Sequence, residues 1–484
     1  MFFSQETCRY LSTGDSQQAA GSAMGGADGF PITWNWSYSI EGAMLPVSVA
    51  LFTVSGERLF LWEARRFIVE KENIDMKKKL LVLMLGLAMI LTFSILTACG
   101  SNEEAAPEEE AAADPVAECA ALIDAIYVQE YTDETYAQCE AAKAAWDALT
   151  DEQKEQVEGE EASPDYFGRD TGDASKDDPL NQDDIGENEL LVVSFGTSFN
   201  DSRAEDIGGI EKALQEANPD WSVRRAFTAQ IIINHVYARD GEKIDNVDQA
   251  LQRAVDNGVK NLVVQPTHLM HGAEYDELIE ALNNYKDKFE TVKVTEPLLG
   301  TVGEDATVVN ADKEAVAKAV VAQAVSEAGF DSLEAAGAEG TAFVFLGHGT
   351  SHEAAVTYDQ MQEQMKQLGY GNVFIGTVEG KPEDTAFPSV KKALEEAGYT
   401  KVILRPLMVV AGDHANNDMA GDEEGSWYYG FVNGGEFEVE GADEAVDTGA
   451  GLGADNVNCQ IEGLGRIIDV QKLYVDHTAE AMAQ

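Results

Sequence analysis

Two histidines stand where a short apolar run gives way to small and polar residues. His348 follows the run from Thr341 to Leu346, and His414 follows the run from Lys401 to Val410. In open α/β folds, ligands bind at the carboxyl ends of buried strands. Imidazole binds metal ions and exchanges protons near neutral pH. The pair therefore predicts a metal-binding or proton-transfer site at a sheet edge.

Further histidines and carboxylates follow other predicted strands, namely His268, His271, Glu274 and Glu379. Two imidazoles and one carboxylate would leave coordination positions open, which is typical of catalytic metal sites. Mixed nitrogen and oxygen donors favour Co²⁺, Fe²⁺, Ni²⁺ or Zn²⁺ over Ca²⁺ or Mg²⁺. His235 and His477 fall within predicted helices, and we interpret both as structural. His352 lies one turn into its helix, where it would contact the site residues without binding the ligand itself.

A turn rich in glycine and hydroxyl groups, Ser194–Ser198, closes the first predicted strand of this region. Backbone amides at such a turn accept anions when a helix follows. The same composition also suits a turn that only caps the helix. The residues alone leave both functions open.

Strands and helices alternate from Leu190 onward, and the pattern restarts near Thr341. Predicted strands cover residues 190–195, 222–227, 261–265, 291–295, 341–346, 373–378 and 401–410. Predicted helices cover residues 204–218, 229–239, 247–257, 274–285, 313–328, 353–368, 387–397 and 465–482. Repeated β-α units indicate parallel sheets covered on both faces. Two such halves, 189–305 and 306–484, predict a cleft between them.

The charge of the chain excludes one class of partner. The 484 residues carry a formal net charge of −54, from 87 acidic and 33 basic side chains. Nucleic-acid binding needs a basic surface, so nucleic acid is excluded as a partner. Electrostatic docking on anionic lipid is disfavoured for the same reason. The length is sufficient for more than one domain.

Residues 76–99 have the order of an export signal. A basic stretch, Lys77–Lys79, precedes the apolar stretch Leu80–Ile95, and the sequence Leu-Thr-Ala-Cys then ends at Cys99. This predicts a bacterial lipoprotein signal peptide at 76–98, with Cys99 as the lipidated residue of an extracytoplasmic, membrane-anchored protein. An ordinary transmembrane helix is the alternative. Residues 1–75 match no domain, and we hypothesise that they are a start-site artefact.

Three stretches of different composition precede the α/β region. Residues 99–114 are rich in Glu and Ala and predict a disordered acidic tether. Residues 115–159 have helical spacing and N-cap signals, and resemble the helical spacer modules of Gram-positive surface proteins. Residues 160–188 are again acidic and predict a linker.

Cysteine usage excludes a zinc finger or a thioredoxin-type motif, because the five cysteines include no Cys-x-x-Cys pair. Cys119 and Cys139 fall on neighbouring helices of the small module. A disulfide between them and two small buried residues are both compatible with the sequence. Cys459 lies in the sequence Val457-Asn458-Cys459-Gln460 and is interpreted as strand core.

The α/β region contains a long ordered series of motifs. They are Val192–Ser198, Arg225–Thr228, Gly272–Tyr275, Gly347–Gly349, Val378–Gly380, Pro406–Met419, Ser426–Trp427 and Gly463–Gly465. With these motifs, the chain from about Leu190 to His477 resembles the anaerobic class II cobalt chelatases, the sirohydrochlorin cobaltochelatases of vitamin B12 synthesis. The resemblance implies two Rossmann-like halves with parallel sheets around a tetrapyrrole cleft.

The resemblance also implies roles for individual residues. His348, Glu379 and His414 would bind the metal, with His348 as the catalytic base and Glu274 as its acidic helper. The substrate-binding residues would be Ser194, Phe195, Gly196, Thr197, Ser198 and His268. The implied reaction inserts Co²⁺ into sirohydrochlorin, a porphyrin-like tetrapyrrole, and releases two protons.

Two features do not fit the implied function easily. The substrate is a polycarboxylate, whereas the protein is acidic, so Arg203, Arg225 and the Ser194–Ser198 turn are expected to offset the repulsion. Tetrapyrrole synthesis is cytoplasmic, whereas the signal predicts export. The alternative function is therefore a lipoprotein that uses a chelatase fold to capture haem, another tetrapyrrole or a metal. A homo-oligomer and a monomer are both compatible with the sequence.

Overall fold

The computed structural model describes residues 114–439 and 444–483, and the backbone of four strands within residues 20–63. The chain divides into two compact units, residues 1–108 and 109–484. The predicted signal peptide and Cys99 lie outside the described residues. Within the described residues, no helix is long and apolar enough to cross a membrane.

The first unit contains an antiparallel sheet of four strands in sequential order. They are β1 (Ala20–Met24), β2 (Ile32–Ile40), β3 (Ala43–Val54) and β4 (Glu57–Glu63). The sequence predicted no regular element here, because the apolar residues show no sustained period. The start-site hypothesis for residues 1–75 stays a prediction.

A parallel sheet forms the first half of the second unit. Its strands are β5 (Asn188–Ser194), β6 (Ser222–Phe227), β7 (Asn261–Pro266) and β8 (Thr291–Val294), in the order β6-β5-β7-β8. All three pairings are parallel. The strands read as continuous apolar runs because helices cover both faces of the sheet.

The second half repeats this arrangement. Its strands are β9 (Thr341–Gly347), β10 (Val373–Thr377), β11 (Lys401–Pro406), β12 (Gly434–Phe437), β13 (Val446–Ala450) and β14 (Val457–Cys459). The parallel sheet has the order β10-β9-β11-β14, and β12 pairs with β13 as a separate hairpin. The α/β fold with parallel sheets is therefore confirmed, and Cys459 lies in a strand as predicted.

Helices precede, connect and cover these sheets. Those before the first sheet are α1 (Pro115–Ile126), α2 (Thr135–Ala148), α3 (Asp151–Lys154) and α4 (Pro164–Gly168). Those of the first half are α5 (Asn200–Ser202), α6 (Gly208–Ala217), α7 (Gln230–Asp240), α8 (Val247–Asp256) and α9 (Ala273–Asn283). The later ones are α10 (Ala311–Glu327), α11 (Leu333–Ala338), α12 (Val356–Gln367), α13 (Phe387–Glu396), α14 (Trp427–Asn433) and α15 (Ile468–Ala483).

Strand β11 is shorter than predicted, because it ends at Pro406 and not at Val410. Beyond it, the carbonyls of Met408 and Val409 accept hydrogen bonds from the backbone of Leu464 and Gly465, not from a neighbouring strand. The apolar run continues because Leu407 and Val409 are buried in the same core as Leu464. His414 therefore follows a loop and not the strand itself.

The last helix ties the two halves together. The hydroxyl of Tyr474 on α15 donates to the carbonyl of Thr267 at 2.8 Å, and Thr478 donates to the side chain of Gln265 at 2.7 Å. Both acceptors belong to the first half. The predicted boundary near residue 305 therefore separates the sheets but not α15.

Helices α1 and α2 form the predicted small helical module and share a core that includes Cys119, Cys139 and Trp146. Both cysteines are buried free thiols, so the structure has two small core residues and no disulfide between them. Burial raises the pKa of the Cys139 thiol to about 11. The module is thus held by apolar packing.

The stretch predicted to be a linker packs firmly on the α/β region. Tyr166 and Phe167 of α4 are buried. The Asp177 carboxylate accepts hydrogen bonds from Arg203 at 2.7 Å and from Arg225 at 2.7 and 2.9 Å. The acidic composition predicted a linker, whereas the Asp177 carboxylate pairs with two buried arginines.

Candidate functional site

A cavity of about 1200 Å³ opens at the carboxyl ends of both parallel sheets. The sequence-predicted residues among its lining are Phe195, Gly196, Thr197, Ser198, His268, Glu274, His348, Glu379 and His414. The two sheets thus bring residues from distant parts of the chain to one place. Strand ends of parallel sheets meet at one edge, which is why their positions could be predicted from sequence.

His348 and Glu379 are neighbours because β9 and β10 are paired in register. Gly347 lies opposite Thr377, so the residues just beyond each strand end adjoin. The Nδ1 atom of His348 lies 3.4 Å from Oε1 of Glu379. The backbone N–H of Glu379 also donates to the carbonyl of His348 at 2.9 Å. This pairing fixes a carboxylate beside an imidazole at the cavity wall.

His414 completes the cluster from the other side of β9. Its ring centroid lies 4.4 Å from that of His348, with the two planes at 74°. Nδ1 of His414 lies 2.7 Å from Oδ2 of Asp418, one helical turn later. Burial lowers the pKa of His414, but the hydrogen bond with Asp418 and the negative charges of Asp418, Asp413 and Glu379 together outweigh it, so the net shift is upward. A carboxylate on one ring nitrogen orients the other toward a metal.

The loop that carries His414 is held by the first half. The backbone N–H of Ala411 donates to Asp206 at 2.9 Å, and the hydroxyl of Ser202 donates to the carbonyl of Ala411 at 2.7 Å. Arg466 donates to the same Asp206 carboxylate at 2.5 Å. The position of His414 therefore depends on contacts between the halves as well as on β11.

The three side chains adjoin without forming a complete coordination set. Among the residues that the structure describes, no group of three or more His, Cys, Asp or Glu side chains is arranged to hold a metal ion. Nδ1 of His348 lies 3.0 Å from the carbonyl of Gly349, and Oε2 of Glu379 lies 3.6 Å from Nζ of Lys381. The cluster is therefore not a preformed metal site.

His268 and Glu274 face the cavity from the loop after β7 and the first turn of α9. Neither ring nitrogen of His268 has a hydrogen-bond partner within the described part of the chain. Burial lowers the pKa of His268 to about 4, although the Glu274 carboxylate acts in the opposite direction. His268 is therefore neutral at physiological pH, with one ring nitrogen able to accept a proton or hydrogen bond.

The glycine- and hydroxyl-rich turn contributes all but one of its residues to the cavity. Ser194 is buried, and its hydroxyl accepts a hydrogen bond from Thr267 at 2.7 Å. It does not line the cavity, in contrast to the predicted substrate contact. The Thr197 hydroxyl accepts from the N–H of Phe199 at 3.1 Å, which closes a turn just before the following helix. The half-exposed ring of Phe195 faces the cavity.

Arg203 and Arg225 do not face the cavity, in contrast to their predicted role as substrate donors. Both are fully buried, and Arg225 pairs with Glu211 as well as with Asp177. A buried guanidinium needs such carboxylates to offset its desolvation. Of the described residues, the arginines that line the cavity are Arg169 and Arg239.

His235 lines the cavity, although we predicted a structural role for it from the sequence. Its ring stacks on Tyr166 with centroids 4.0 Å apart and planes at 9°, and its Nε2 lies 2.6 Å from the Tyr166 carbonyl. Burial, with a smaller effect of Arg239, lowers the pKa of His235 to about 3. Its partner Tyr166 belongs to α4, so the spacing of residues within α7 could not predict this contact.

The remaining histidines make structural contacts. Nε2 of His271 lies 2.6 Å from Glu296, and this histidine is not among the cavity-lining residues. His352 accepts a hydrogen bond from the N–H of Ala354 at its helix start. His477 lies 3.2 Å from Asp312.

We expect His235 to make the fold sensitive to acid. Its pKa is lowered in the folded protein, so stability is complete above its unfolded pKa near 6.5 and falls as the pH drops below it. Between pH 7 and pH 5, the wild type should lose about 2 kcal/mol more than His235→Gln, which keeps a donor but does not titrate. Urea unfolding at both pH values measures this. His268 titrates in both proteins, so its contribution cancels in the difference between them. Equal losses of unfolding free energy in wild type and His235→Gln would contradict the expectation.

We expect Gly349→Ala to disturb the site through backbone and contact together. Gly349 has φ +97°, and an added Cβ would lie 2.9 Å from Cβ of Glu379. Gly369 has φ +78° with nothing within 4 Å of an added Cβ, so Gly369→Ala measures the backbone effect alone. Gly349→Ala should be the more destabilising of the two by about 1–3 kcal/mol in urea unfolding. Equal effects would show that Glu379 is not tightly packed there.

Comparison with known proteins places this geometry in a family. A family model described as cobalt chelatase (CbiK) matches residues 188–483. The chain belongs to the cobalt chelatase family. The family resemblance predicted from the motifs is thus confirmed, and residues 114–187 lie outside the match. The family match covers both sheets and the whole His348, Glu379 and His414 cluster.

Two relatives and one solved structure show how far the similarity extends. A protein named sirohydrochlorin cobaltochelatase from Salmonella typhimurium is 33% identical over 243 residues, which is 50% of this chain and 83% of that protein. Sirohydrochlorin cobaltochelatase CbiKC from Nitratidesulfovibrio vulgaris is 30% identical over 240 residues, 49% of this chain and 77% of that protein. SirB from Bacillus subtilis with Fe³⁺ aligns with a TM-score of 0.40 and 15% identity, over 62% of this chain and 96% of that one.

Proposed function

We propose that this protein is an enzyme that inserts Co²⁺ into sirohydrochlorin. The observation that carries the proposal is the cluster of His348, Glu379 and His414 on the wall of one large cavity in a cobalt chelatase fold. Both curated relatives carry the name of this activity. The cavity volume of about 1200 Å³ is large enough for a tetrapyrrole.

The cluster suits a metal that is bound briefly and then passed on. Two imidazoles and one carboxylate leave coordination positions for water, which pyrrole nitrogens can replace one by one. The carboxylate of Glu379 neutralises part of the dication as its water is lost. Because the three side chains are not arranged as a preformed metal site, they should hold the substrate metal less firmly than such a site would.

Insertion also releases two protons from pyrrole nitrogens, and the cavity provides acceptors for them. We assign His348 as the general base, because it belongs to the His348, Glu379 and His414 cluster and its side chain is half-exposed to the cavity. We assign the carboxylate of Glu274, which lies near the neutral ring of His268, as the acceptor of the second proton. Proton transfer by a placed side chain contributes a factor of about 10² to 10⁴ to a rate.

The test is an absorbance assay with purified protein, sirohydrochlorin and a series of divalent metals. We expect Co²⁺ insertion to be faster than in the protein-free solution. The same donor set also suits Fe²⁺, Ni²⁺ and Zn²⁺, so slower insertion of these is compatible with the proposal. A rate with Co²⁺ equal to that of the protein-free solution would refute it.

The predicted export signal favours a second candidate function. A lipoprotein anchored through Cys99 would have no obvious supply of sirohydrochlorin, and capture of haem or another tetrapyrrole would then be its role. Localisation at the membrane stays a prediction. Tight binding of haem without metal insertion in the same assay would favour capture over catalysis.

A further inference from the structure

The helical segment that precedes the family match forms part of the cavity wall. Residues 114–187, here called the accessory module, lie before the chelatase fold, which begins at residue 188. The accessory residues that line the cavity are Tyr127, Glu161, Ser163, Asp165, Tyr166, Arg169 and Thr171. The sequence predicted a spacer and a linker here, whereas the structure places both against the site.

Specific contacts hold the accessory module in this position. The side-chain amide of Asn234 on α7 donates to the carbonyl of Ile126 at 2.9 Å in a buried contact. The stack of Tyr166 on His235 lies at the cavity itself. The N–H of Asp201 donates to the carbonyl of Thr171 at 2.9 Å. These bonds join the module to the first half on both sides of α4.

Carboxylates make the cavity lining acidic, and the accessory module contributes an arginine that offsets part of this charge. The carboxylates in its lining are Glu161, Asp165, Glu274, Glu379, Asp413, Asp418, Asp422, Glu423 and Glu424. A polycarboxylate substrate is repelled by such a wall unless cations offset it. Arg239 is nearly buried, and its guanidinium is occupied by the carbonyl of Ser198 and by Asp240. The more exposed arginine of the lining is Arg169.

Arg169 of the accessory module contacts the loop that carries His414. Its guanidinium donates to Asn417 at 2.9 Å and lies 3.9 Å from Asp413, on either side of His414 in the chain. It also pairs with Asp165 at 2.5 Å, but that carboxylate is 61% exposed. A solvated pair of this kind contributes little and exchanges easily for another carboxylate.

We propose that the accessory module is a wall of the substrate cleft and that its Arg169 binds a peripheral carboxylate of the tetrapyrrole. The proposal rests on the proposed function for the identity of the substrate. A guanidinium binds a carboxylate through two parallel hydrogen bonds, which a lysine cannot reproduce. Arg169 is therefore a specificity-determining residue that the chelatase fold alone does not supply.

The test compares Arg169→Gln and Arg169→Lys in steady-state insertion. Arg169→Gln should raise KM for sirohydrochlorin about tenfold and change kcat less than about threefold, because a charged hydrogen bond in binding is lost. Arg169→Lys should fall between Gln and wild type. For deuteroporphyrin, which carries only two carboxylates, the change in KM should be smaller. An unchanged KM for sirohydrochlorin in Arg169→Gln would overturn the proposal.

Arg253→Gln is the matched control. Arg253 is 32% exposed against 29% for Arg169, pairs with the two acids Asp245 and Asp183, and is not in the cavity lining. Its KM should stay within about twofold of wild type, and an equal rise in both variants would contradict a specific role of Arg169.

Metal-free binding of sirohydrochlorin, followed by its fluorescence, separates this proposal from the proposed function. Weaker binding in Arg169→Gln, in a protein that inserts no cobalt, would support the wall and refute the enzyme. Normal cobalt insertion by the wild type, with unchanged sirohydrochlorin binding in Arg169→Gln, would support the enzyme and refute the role of Arg169 in the wall.

Discussion

His348→Ala should reduce the rate of cobalt insertion about 10³-fold. The substitution removes the proposed base, and a placed proton acceptor contributes about 10² to 10⁴ to a rate. Because the His348 side chain is 46% exposed, the free energy of unfolding should change by less than about 1 kcal/mol. Measuring kcat together with urea unfolding separates the two effects. More than a tenth of wild-type kcat would exclude His348 as the base.

His271→Ala is the control for that variant. Nε2 of this histidine lies 2.6 Å from Oε2 of Glu296, and the residue is not among the cavity-lining residues, so its loss should leave kcat within about twofold. A large loss of activity in His271→Ala would mean that removing a histidine near the site is harmful in general. The loss of activity in His348→Ala would then be no evidence that His348 is the base.

His414→Ala should raise KM for Co²⁺ by at least 10- to 100-fold, with a smaller effect on KM for the tetrapyrrole. His414 is the second imidazole of the cluster, and Asp418 orients it. Asp418→Asn should weaken cobalt binding by about 10- to 100-fold, as loss of a carboxylate behind a metal-binding histidine does. The two KM values in a matrix of metal and tetrapyrrole concentrations test this.

Asp476→Asn is a control for the aspartate variant. Asp476 forms an exposed pair with Lys472 one turn away on α15, and is not among the cavity-lining residues. It should leave KM for Co²⁺ unchanged within about twofold. If His414→Ala and Asp418→Asn also left this KM unchanged, His414 would not be a metal ligand.

The sequence predicted the sheets and most of the site because both depend on local patterns. Apolar β-branched runs end at His348 and Glu379, and a parallel sheet necessarily gathers such ends at one edge. His348 and His414 adjoin in the structure as that geometry requires. The exception is β11, whose apolar run continues beyond the strand because it packs against the residues before α15.

Contacts between distant segments could not be predicted from the sequence. Arg203 and Arg225 were expected in the cleft, but Asp177, from a supposed linker, pairs with both in the interior. His235 was interpreted as structural, whereas Tyr166 places it on the cavity wall. Each of these depends on how the accessory module docks, and docking leaves no periodic signal in one sequence.

The most direct test of the central claim is to count the cobalt–tetrapyrrole molecules formed per protein molecule. With sirohydrochlorin and Co²⁺ in about hundredfold excess, we expect product to accumulate far beyond one equivalent, faster than without protein. The same mixture with His348→Ala should return nearly to the protein-free rate. Formation that stops at one equivalent, or that is equally fast with His348→Ala, would contradict catalysis at the His348, Glu379 and His414 cluster.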